Sequence, residues 1–276
     1  MKTPLAALSA LAAATLALTG CGSTQSSSSS TASAGSSSSA SAAGTQASSG
    51  KIQVFAAASL NNAGADLEKA YEAANPGVDI TFVYEGSAKL VTQIEQGATP
   101  DMLITADTKN MDKAKKLNEF SNSETNVLVT NKLVLVTAEG NPGKINSLDD
   151  LKTTEGVVAV CKEDVPCGTL AHEELKKHDI TLKNATTEGK VTDVATKVST
   201  GNADAGFIYT TDLAAAKKKG ANLGSIELTD VEPNEYPAAL SKTGSSSEAA
   251  KKFNEWLKNS DEAKKILTEY GFNTAQ

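Results

Sequence analysis

The sequence predicts an α/β fold in two lobes, each a mostly parallel sheet flanked by helices, joined by two crossover strands. Short β-branched runs alternate with helical periods from Lys51 onward, which is typical of parallel strands connected by helices. The alternation stops at a long β-rich stretch, residues 127–137, and then begins again. A further β-rich run, residues 235–240, precedes a helical tail. Two crossings between lobes make a hinge and leave a cleft.

The first 21 residues predict a lipoprotein signal peptide. Lys2 gives a positive start, residues 5–18 are apolar, and small residues lead to Cys21. The apolar run is shorter than the ~20 residues that span a bilayer, although a membrane helix is the alternative. We therefore expect a protein outside the cytoplasm that is anchored to the cell membrane by a lipid on Cys21.

Residues 22–50 are almost entirely Ser, Ala, Gly, Thr and Gln, with too little apolar surface to offset the entropy of folding. They predict a disordered tether, and the folded part begins near Lys51. The restart of the alternation divides the rest into lobe 1, residues 51–134 and 235–276, and lobe 2, residues 135–234.

Each element follows from its pattern of apolar residues. Lobe 1 begins with strands at residues 51–57, 78–84 and 102–106, each followed by a helix, marked in turn by Leu60 to Ala74, by Leu90, Val91 and Ile94, and by Met111, Ala114 and Leu117. Lobe 2 has strands at residues 157–160 and 205–209, and helices after Cys167 and after Lys190. The tail, residues 246–270, is helical with Phe253, Trp256 and Leu257 as buried anchors.

Composition excludes one class of partner and one kind of anion site. The net charge of -7, the pI near 5.0 and 4% aromatic residues argue against a nucleic-acid surface. The basic residues are all lysines, so no guanidinium can clamp an anion through two parallel hydrogen bonds. An anion must be held by other donors.

Cys161 and Cys167 remain after Cys21 is assigned to the lipid. In an oxidising compartment we expect Cys161 and Cys167 to form a disulfide. Two free thiols or a metal site are the alternatives. A metal site has poor support, because His172 and His178 would face different sides of a helix. We expect both histidines to be ordinary surface residues.

Four strand-to-helix corners have the features of anion-binding sites, because a helix N-terminus carries unpaired N–H groups and a partial positive charge. Ser59 and Ser87 stand where helix N-caps are expected, in lobe 1. Cys167 and Val191 open predicted helices in lobe 2, and Tyr209 adds a phenolic donor at a fifth strand end. A dianion held by neutral hydroxyl and N–H donors needs about this arrangement.

At these residues the sequence resembles the periplasmic molybdate-binding proteins, the solute receptors of molybdate ABC importers. The resemblance runs from about Lys51 to Phe272. It is carried by the segments at residues 54–60 (VFAAASL), 98–107 (ATPDMLITAD) and 270–272 (YGF). It implies a type II periplasmic-binding-protein fold and a monomer without a cofactor. It also implies an importer permease as partner and molybdate or tungstate as the ligand.

By the same resemblance, Ser59 and Ser87 supply hydroxyl and backbone donors, Cys167 and Val191 supply backbone N–H groups, and Tyr209 supplies its hydroxyl. Molybdenum would be bound only as the oxyanion. The chain departs from the family at Ala88, where a second serine is usual, and at Cys167, where alanine is common.

Two alternatives differ in what the protein would bind or do. Another tetrahedral oxyanion such as sulfate has nearly the same shape and charge, so the choice of molybdate depends on the resemblance. A serine-dependent hydrolase is the remote alternative, because neither Ser59 nor Ser87 lies in G-x-S-x-G and no activating histidine with an orienting acid is apparent.

Overall fold

The structure, a computed structural model, describes residues 49–274. Its first strand begins at Ser49, so the folded part takes in the last two residues of the predicted tether. The predicted signal peptide, the lipid site at Cys21 and residues 22–48 of the tether lie outside the described residues. Within residues 49–274 no helix is both long enough and apolar enough to span a bilayer.

Lobe 1 is built on a six-stranded sheet, in the order β11-β4-β10-β3-β1-β2. Its strands are β1 (Ser49–Ala57), β2 (Gly77–Glu85), β3 (Met102–Ile104), β4 (Thr125–Asn131), β10 (Asn234–Leu240) and β11 (Asn273–Thr274). β1 pairs in parallel with β2 and β3, whereas β10 is antiparallel to β3 and β4. The carboxyl ends of β1, β2 and β3 therefore meet at one edge.

Lobe 2 is built on a five-stranded sheet, in the order β7-β6-β8-β5-β9. Its strands are β5 (Leu133–Thr137), β6 (Val158–Cys161), β7 (Ala185–Glu188), β8 (Ala205–Tyr209) and β9 (Gly224–Glu227). β6 is parallel to β7 and β8, and β5 is antiparallel to β8 and β9. β6 and β8 are buried along their whole length, because helices cover both faces of the sheet.

The predicted two-lobe α/β class is confirmed, but each sheet is mixed rather than mostly parallel. In lobe 1, β10 runs antiparallel to β3 and β4, and in lobe 2, β5 runs antiparallel to β8 and β9; both strands adjoin a crossing between the lobes. The chain changes sheet at Lys132, between β4 and β5, so the predicted boundary at residues 134/135 falls inside β5. The return crossing leads into β10 at Asn234.

Helices connect the strands in both lobes, and three more close the chain. Lobe 1 has α1 (Asn61–Ala74), α2 (Ser87–Glu95) and α3 (Thr108–Ala114), lobe 2 has α4 (Pro166–Lys177), α5 (Val191–Ser199) and α6 (Thr210–Lys218), and the tail has α7 (Lys242–Ser246), α8 (Glu248–Asn259) and α9 (Asp261–Glu269). α8 and α9 pack on lobe 1, against β1 and α1. Phe253 and Leu257 are buried there as predicted, whereas Trp256 is only half-buried.

Each lobe has its own apolar core. In lobe 1, Val54 and Tyr236 belong to a cluster under α1 and α8, and Phe55 and Leu103 belong to a second cluster on the other face of the sheet. A separate cluster in lobe 2 surrounds Phe207. Because the two lobes do not share a core, they can move against each other at the hinge without exposing either interior.

Candidate functional site in the interlobe cleft

All five predicted donors line one small cavity between the lobes. The cavity is narrow, with about 10 Å3 open to the centre of a water molecule. It is lined from lobe 1 by residues that include Ser59 and Ser87, and from lobe 2 by residues that include Cys167, Val191 and Tyr209. No charged side chain is among the described residues that line it. An anion there would meet hydroxyl and N–H groups and no lysine.

Ser59 lies at the carboxyl end of β1, in a 3-10 turn (Ala58–Leu60) that leads into α1. The structure differs from the prediction here: Ser59 is inside the turn, and the cap position belongs to Ala57. The Ser59 side chain is 4% exposed, and its Oγ lies 2.8 Å from the hydroxyl of Tyr236. Because the Ser59 hydroxyl does not cap a helix, it can face the cavity.

Ser87 is the first residue of α2, and Gly86 is its N-cap, so Ser87 is not the cap that we predicted. Its Oγ accepts a hydrogen bond of 3.0 Å from the N–H of Ala106. A hydroxyl group carries one hydrogen and can accept and donate at once. Since Ser87 is the acceptor in its bond with Ala106, its own hydrogen remains available for a ligand.

The lobe 2 side of the cavity is made by two helix N-termini. Cys167 is the second residue of α4, and Val191 is the first residue of α5. First-turn N–H groups of a helix have no carbonyl partner within the helix, and the helix dipole favours an anion beside them. The backbone at both positions can therefore donate to an anion whatever the side chain is.

A disulfide joins Cys161 at the end of β6 to Cys167, with a sulfur–sulfur distance of 2.13 Å. It ties the first turn of α4 to the strand that precedes it. Gly168 allows the close approach that this requires, because a Cβ there would lie 1.8 Å from the carbonyl oxygen of Lys162. The backbone N–H of Cys167 is thus held in place by a covalent bond and by tight packing.

Tyr209 ends β8, and its ring is 1% exposed. Its hydroxyl is hydrogen-bonded to the side-chain amide of Asn234. Burial is the main reason that the pKa of Tyr209 is raised well above its usual range. The hydroxyl therefore stays protonated and can act as a donor.

A half-buried carboxyl group, Asp107, and a buried one, Asp212, lie near these donors without lining the cavity. Asp107 caps α3 and accepts from the N–H of Asn110 at 2.8 Å, while burial raises its pKa. Asp212, in the first turn of α6, accepts from the N–H of Tyr209 at 3.3 Å. Burial raises the pKa of Asp212 to about 7. Protonation of Asp212 would lower the repulsion of a dianion in the cleft.

The lobes touch across the mouth of the cleft, so the structure is in a closed state. Lys190 Nζ of lobe 2 lies 3.5 Å from Glu85 Oε2 of lobe 1. The side-chain amide of Asn110 donates to the backbone oxygen of Asp164 at 3.3 Å. At Gly86 the approach is so close that a Cβ would lie 2.2 Å from the carbonyl oxygen of Gly189.

Three polar residues behind the donors were not predicted from the sequence: Asn131, Asn234 and Tyr236. They lie on the two crossover strands, which were predicted for their β-branched character alone. The available signal was the presence of amide and phenol groups in segments expected to be buried, since a buried polar group needs a partner.

The histidines lie on or next to α4, partly exposed. His172 Nε2 is 3.2 Å from the carbonyl oxygen of Cys161, and His178 Nε2 is 3.3 Å from Glu174 Oε1. Among the described residues, one group of three metal-binding side chains comes together, Glu174, His178 and Asp230. The ammonium of Lys177 lies 3.3 Å from Glu174 Oε2 and donates to the backbone oxygen of Asp230, so it supplies a cation there.

Comparison with known proteins gives consistent results. Residues 52–273 match the family described as bacterial extracellular solute-binding protein. The molybdate-binding protein ModA of Mycobacterium tuberculosis is 38% identical over 221 residues, which cover 80% of this chain and 84% of that protein. A putative ABC transporter substrate-binding lipoprotein of Bacillus subtilis, YvgL, is 33% identical over 228 residues, covering 80% and 85%.

A solved structure shows the same architecture. The substrate-binding domain of a putative molybdenum ABC transporter from Clostridium difficile is 31% identical, and the match covers 82% of this chain and 99% of that domain, with a TM-score of 0.59.

Proposed function

Because the chain belongs to the family of bacterial extracellular solute-binding proteins, we propose that it captures molybdate in the interlobe cleft and delivers it to an ABC importer. Tungstate, of nearly the same size, is proposed as a second ligand. The observation that carries the proposal is that five neutral donors from both lobes line one small cavity without a charged side chain.

The physical basis is replacement of water around a doubly charged ion. A dianion leaves water only if its oxygens regain hydrogen bonds inside the protein. Hydrogen bonds to an ionised group contribute roughly 1.5–3 kcal/mol each. Ser59, Ser87 and Tyr209 offer hydroxyl groups, and the backbone of Cys167 and Val191 offers N–H groups. Because the donors come from both lobes, the ligand favours the closed state, which the permease would then recognise.

Sulfate is the second ligand to consider, since it is also a tetrahedral dianion. The relatives favour molybdate, because ModA of M. tuberculosis is described as molybdate-binding and the C. difficile domain as part of a putative molybdenum transporter. The relatives are solute-binding proteins and not enzymes, so they give no support to the hydrolase alternative.

We further propose attachment to the outer face of the cell membrane by a lipid on Cys21. The short apolar segment ending at Cys21 supports this, as does the description of YvgL as a lipoprotein. The protein would act as a monomer without a cofactor, with the permease as its membrane partner.

Isothermal titration calorimetry of the purified protein with molybdate, tungstate, sulfate and phosphate tests the ligand. We expect molybdate and tungstate to bind at least tenfold more tightly than sulfate. Phosphate should bind weakest, because a protonated phosphate oxygen would face a donor and find no acceptor. Tightest binding of sulfate would overturn the choice of ligand.

A substitution tests the site itself. Ser59→Ala removes one hydroxyl donor and should weaken molybdate binding about tenfold or more, because a hydrogen bond to a charged group is lost. The thermal midpoint should fall by only a few degrees, because the buried Tyr236 hydroxyl loses its partner at Ser59 while both lobes stay folded. Ser199→Ala, at an exposed serine of α5, is the matched control and should leave affinity unchanged. Equal affinities of all three proteins would show that Ser59 does not contact the anion.

A further inference from the structure

The hydroxyl of Tyr236 lies one step behind the cavity, between a donor and an amide. Tyr236 is 0% exposed and is not part of the cavity lining. Its oxygen is 2.8 Å from Ser59 Oγ and 3.2 Å from Asn131 Nδ2. Tyr236 therefore connects the hinge strand β4 to the proposed anion donor Ser59.

The direction of these hydrogen bonds follows from the Asn131 amide. Its oxygen accepts from the backbone N–H of Lys132 at 3.0 Å and from the Thr210 hydroxyl at 3.0 Å. A backbone N–H can only donate, so the oxygen must be the atom that faces Lys132. The NH2 group consequently faces Tyr236 and Thr211, with Nδ2 2.8 Å from Thr211 Oγ1. Nδ2 cannot accept, so Tyr236 receives a hydrogen from Asn131.

The hydrogen of the Tyr236 hydroxyl must then find an acceptor of its own. Burial keeps this hydroxyl protonated, since it raises the pKa of Tyr236 above its usual range. Ser59 Oγ is an acceptor within reach, and leaving the hydrogen unpaired would cost the free energy of burying a donor without a partner. Tyr236 therefore donates to Ser59, and the single hydrogen of Ser59 is left to point into the cavity.

We propose that Asn131 and Tyr236 form a relay that fixes Ser59 as a donor to the bound anion, which makes them positioning residues for oxyanion binding. This inference rests on the proposed function. Its consequence is that Ser59 meets the ligand with its hydrogen already oriented, so less entropy is lost on binding. The relay also favours an anion without protons, since the one hydrogen of Ser59 needs an acceptor oxygen on the ligand.

The relay is built into the hinge. Asn131 ends β4 and pairs directly with Asn234, the first residue of β10 and the hydrogen-bond partner of Tyr209. The register of the two strands shifts between Tyr236 and Pro237, where proline lacks an N–H. Asn131 also bonds Thr210 and Thr211 at the start of α6 in lobe 2. The orientation of Ser59 is therefore linked to the relative position of the lobes.

A double-mutant cycle distinguishes a relay from general packing at the hinge. Molybdate affinity is measured by calorimetry for the wild type, Tyr236→Phe, Ser59→Ala and the double variant. We expect Tyr236→Phe to weaken binding five- to tenfold in the wild type, because Ser59 loses its fixed orientation. In the Ser59→Ala background the same change should matter less than twofold. If Tyr236→Phe weakened molybdate binding by the same factor in the wild type and in the Ser59→Ala background, the relay would be overturned.

The control is Tyr84→Phe, which removes the hydroxyl of a tyrosine in β2 that has no hydrogen-bond partner within the described residues. It should leave affinity unchanged. If Tyr236→Phe does not fold, Asn131→Ala replaces it in the cycle: it removes the amide that donates to Tyr236 without adding a charge, so the Tyr236 hydroxyl is no longer held toward Ser59. Its effect should also shrink in the Ser59→Ala background, and undiminished weakening there would refute the relay.

The wild type in the same series reports on the proposed function separately. If the wild type binds molybdate but the effects of the two substitutions are additive, the relay is refuted and the proposed function stands. A wild type that binds none of molybdate, tungstate and sulfate refutes both.

Discussion

Gly86→Ala is expected to prevent the closed state while leaving each lobe folded. A Cβ at Gly86 would lie 2.2 Å from the carbonyl oxygen of Gly189 in the other lobe. The lobes would have to separate by about 1 Å to reach an ordinary contact. The backbone of Gly86 has φ -61° and ψ 138°, which alanine adopts without strain. The penalty therefore falls on closure and not on folding.

The size of the effect follows from the overlap. Adding a methyl group to a tightly packed site costs typically about 1–3 kcal/mol. Because the ligand must close the cleft to meet donors from both lobes, this penalty is subtracted from the binding free energy. A penalty of about 2 kcal/mol corresponds to roughly 30-fold weaker molybdate binding.

Calorimetry measures the affinity, and small-angle X-ray scattering with saturating molybdate measures closure. We expect the variant to retain a larger radius of gyration than the liganded wild type, with an unchanged thermal midpoint of the free protein. Gly189→Ala is the matched control, because a Cβ there meets nothing within 4 Å. If Gly86→Ala binds and compacts like the wild type, the closed contact does not govern binding.

Two further predictions concern stability. The folded pKa of Asp212 is about 7 and its reference value is 3.8, so between these values the folded protein retains a proton that the unfolded chain has lost. The contribution of Asp212 to the free energy of unfolding is therefore complete below about pH 4 and declines as the pH rises to 7. Between pH 5 and 6.5 the free energy of unfolding should therefore fall by about 2 kcal/mol more in the wild type than in Asp212→Asn. The free energies are measured by urea unfolding. If they changed equally with pH in the wild type and in Asp212→Asn, the Asp212 carboxyl would not have a raised pKa. For the disulfide, changing Cys161 and Cys167 to serine should lower the free energy of unfolding by about 2 kcal/mol, the loop-closure contribution for a short loop. Alkylation in denaturant without reductant, followed by mass spectrometry, should leave Cys161 and Cys167 unmodified; alkylation of these two residues would show that the bond is not formed.

The residues that line the cavity could be predicted from local patterns because each belongs to a strand-to-helix corner. Parallel strands place such corners at one edge of a sheet, as seen for Ser59 after β1 and Ser87 after β2. The exact cap positions were wrong at both serines. The local pattern of residues predicts where a strand ends and a helix follows. The residue at which the helix starts depends on tertiary contacts, here the hydrogen bond from the Ala106 N–H to Ser87 Oγ and the contact between Tyr236 and Ser59.

The residues behind the donors could not be predicted in the same way. Asn131 and Tyr236 are far apart in sequence and meet only because β4 and β10 pair in one register, with an irregularity at Pro237. Nothing in either segment read alone indicates that pairing.

By itself the sequence determined the two α/β lobes, the corners that carry neutral donors and the absence of arginine. These follow from residue type and from periodicities that local chain geometry imposes. Tertiary structure alone decided how far the lobes close, which groups surround the hydroxyls of Ser59, Ser87 and Tyr209, and that the carboxyl of Asp212 is buried. Those properties depend on the distances between segments remote in sequence, and such distances are fixed only when both lobes have packed.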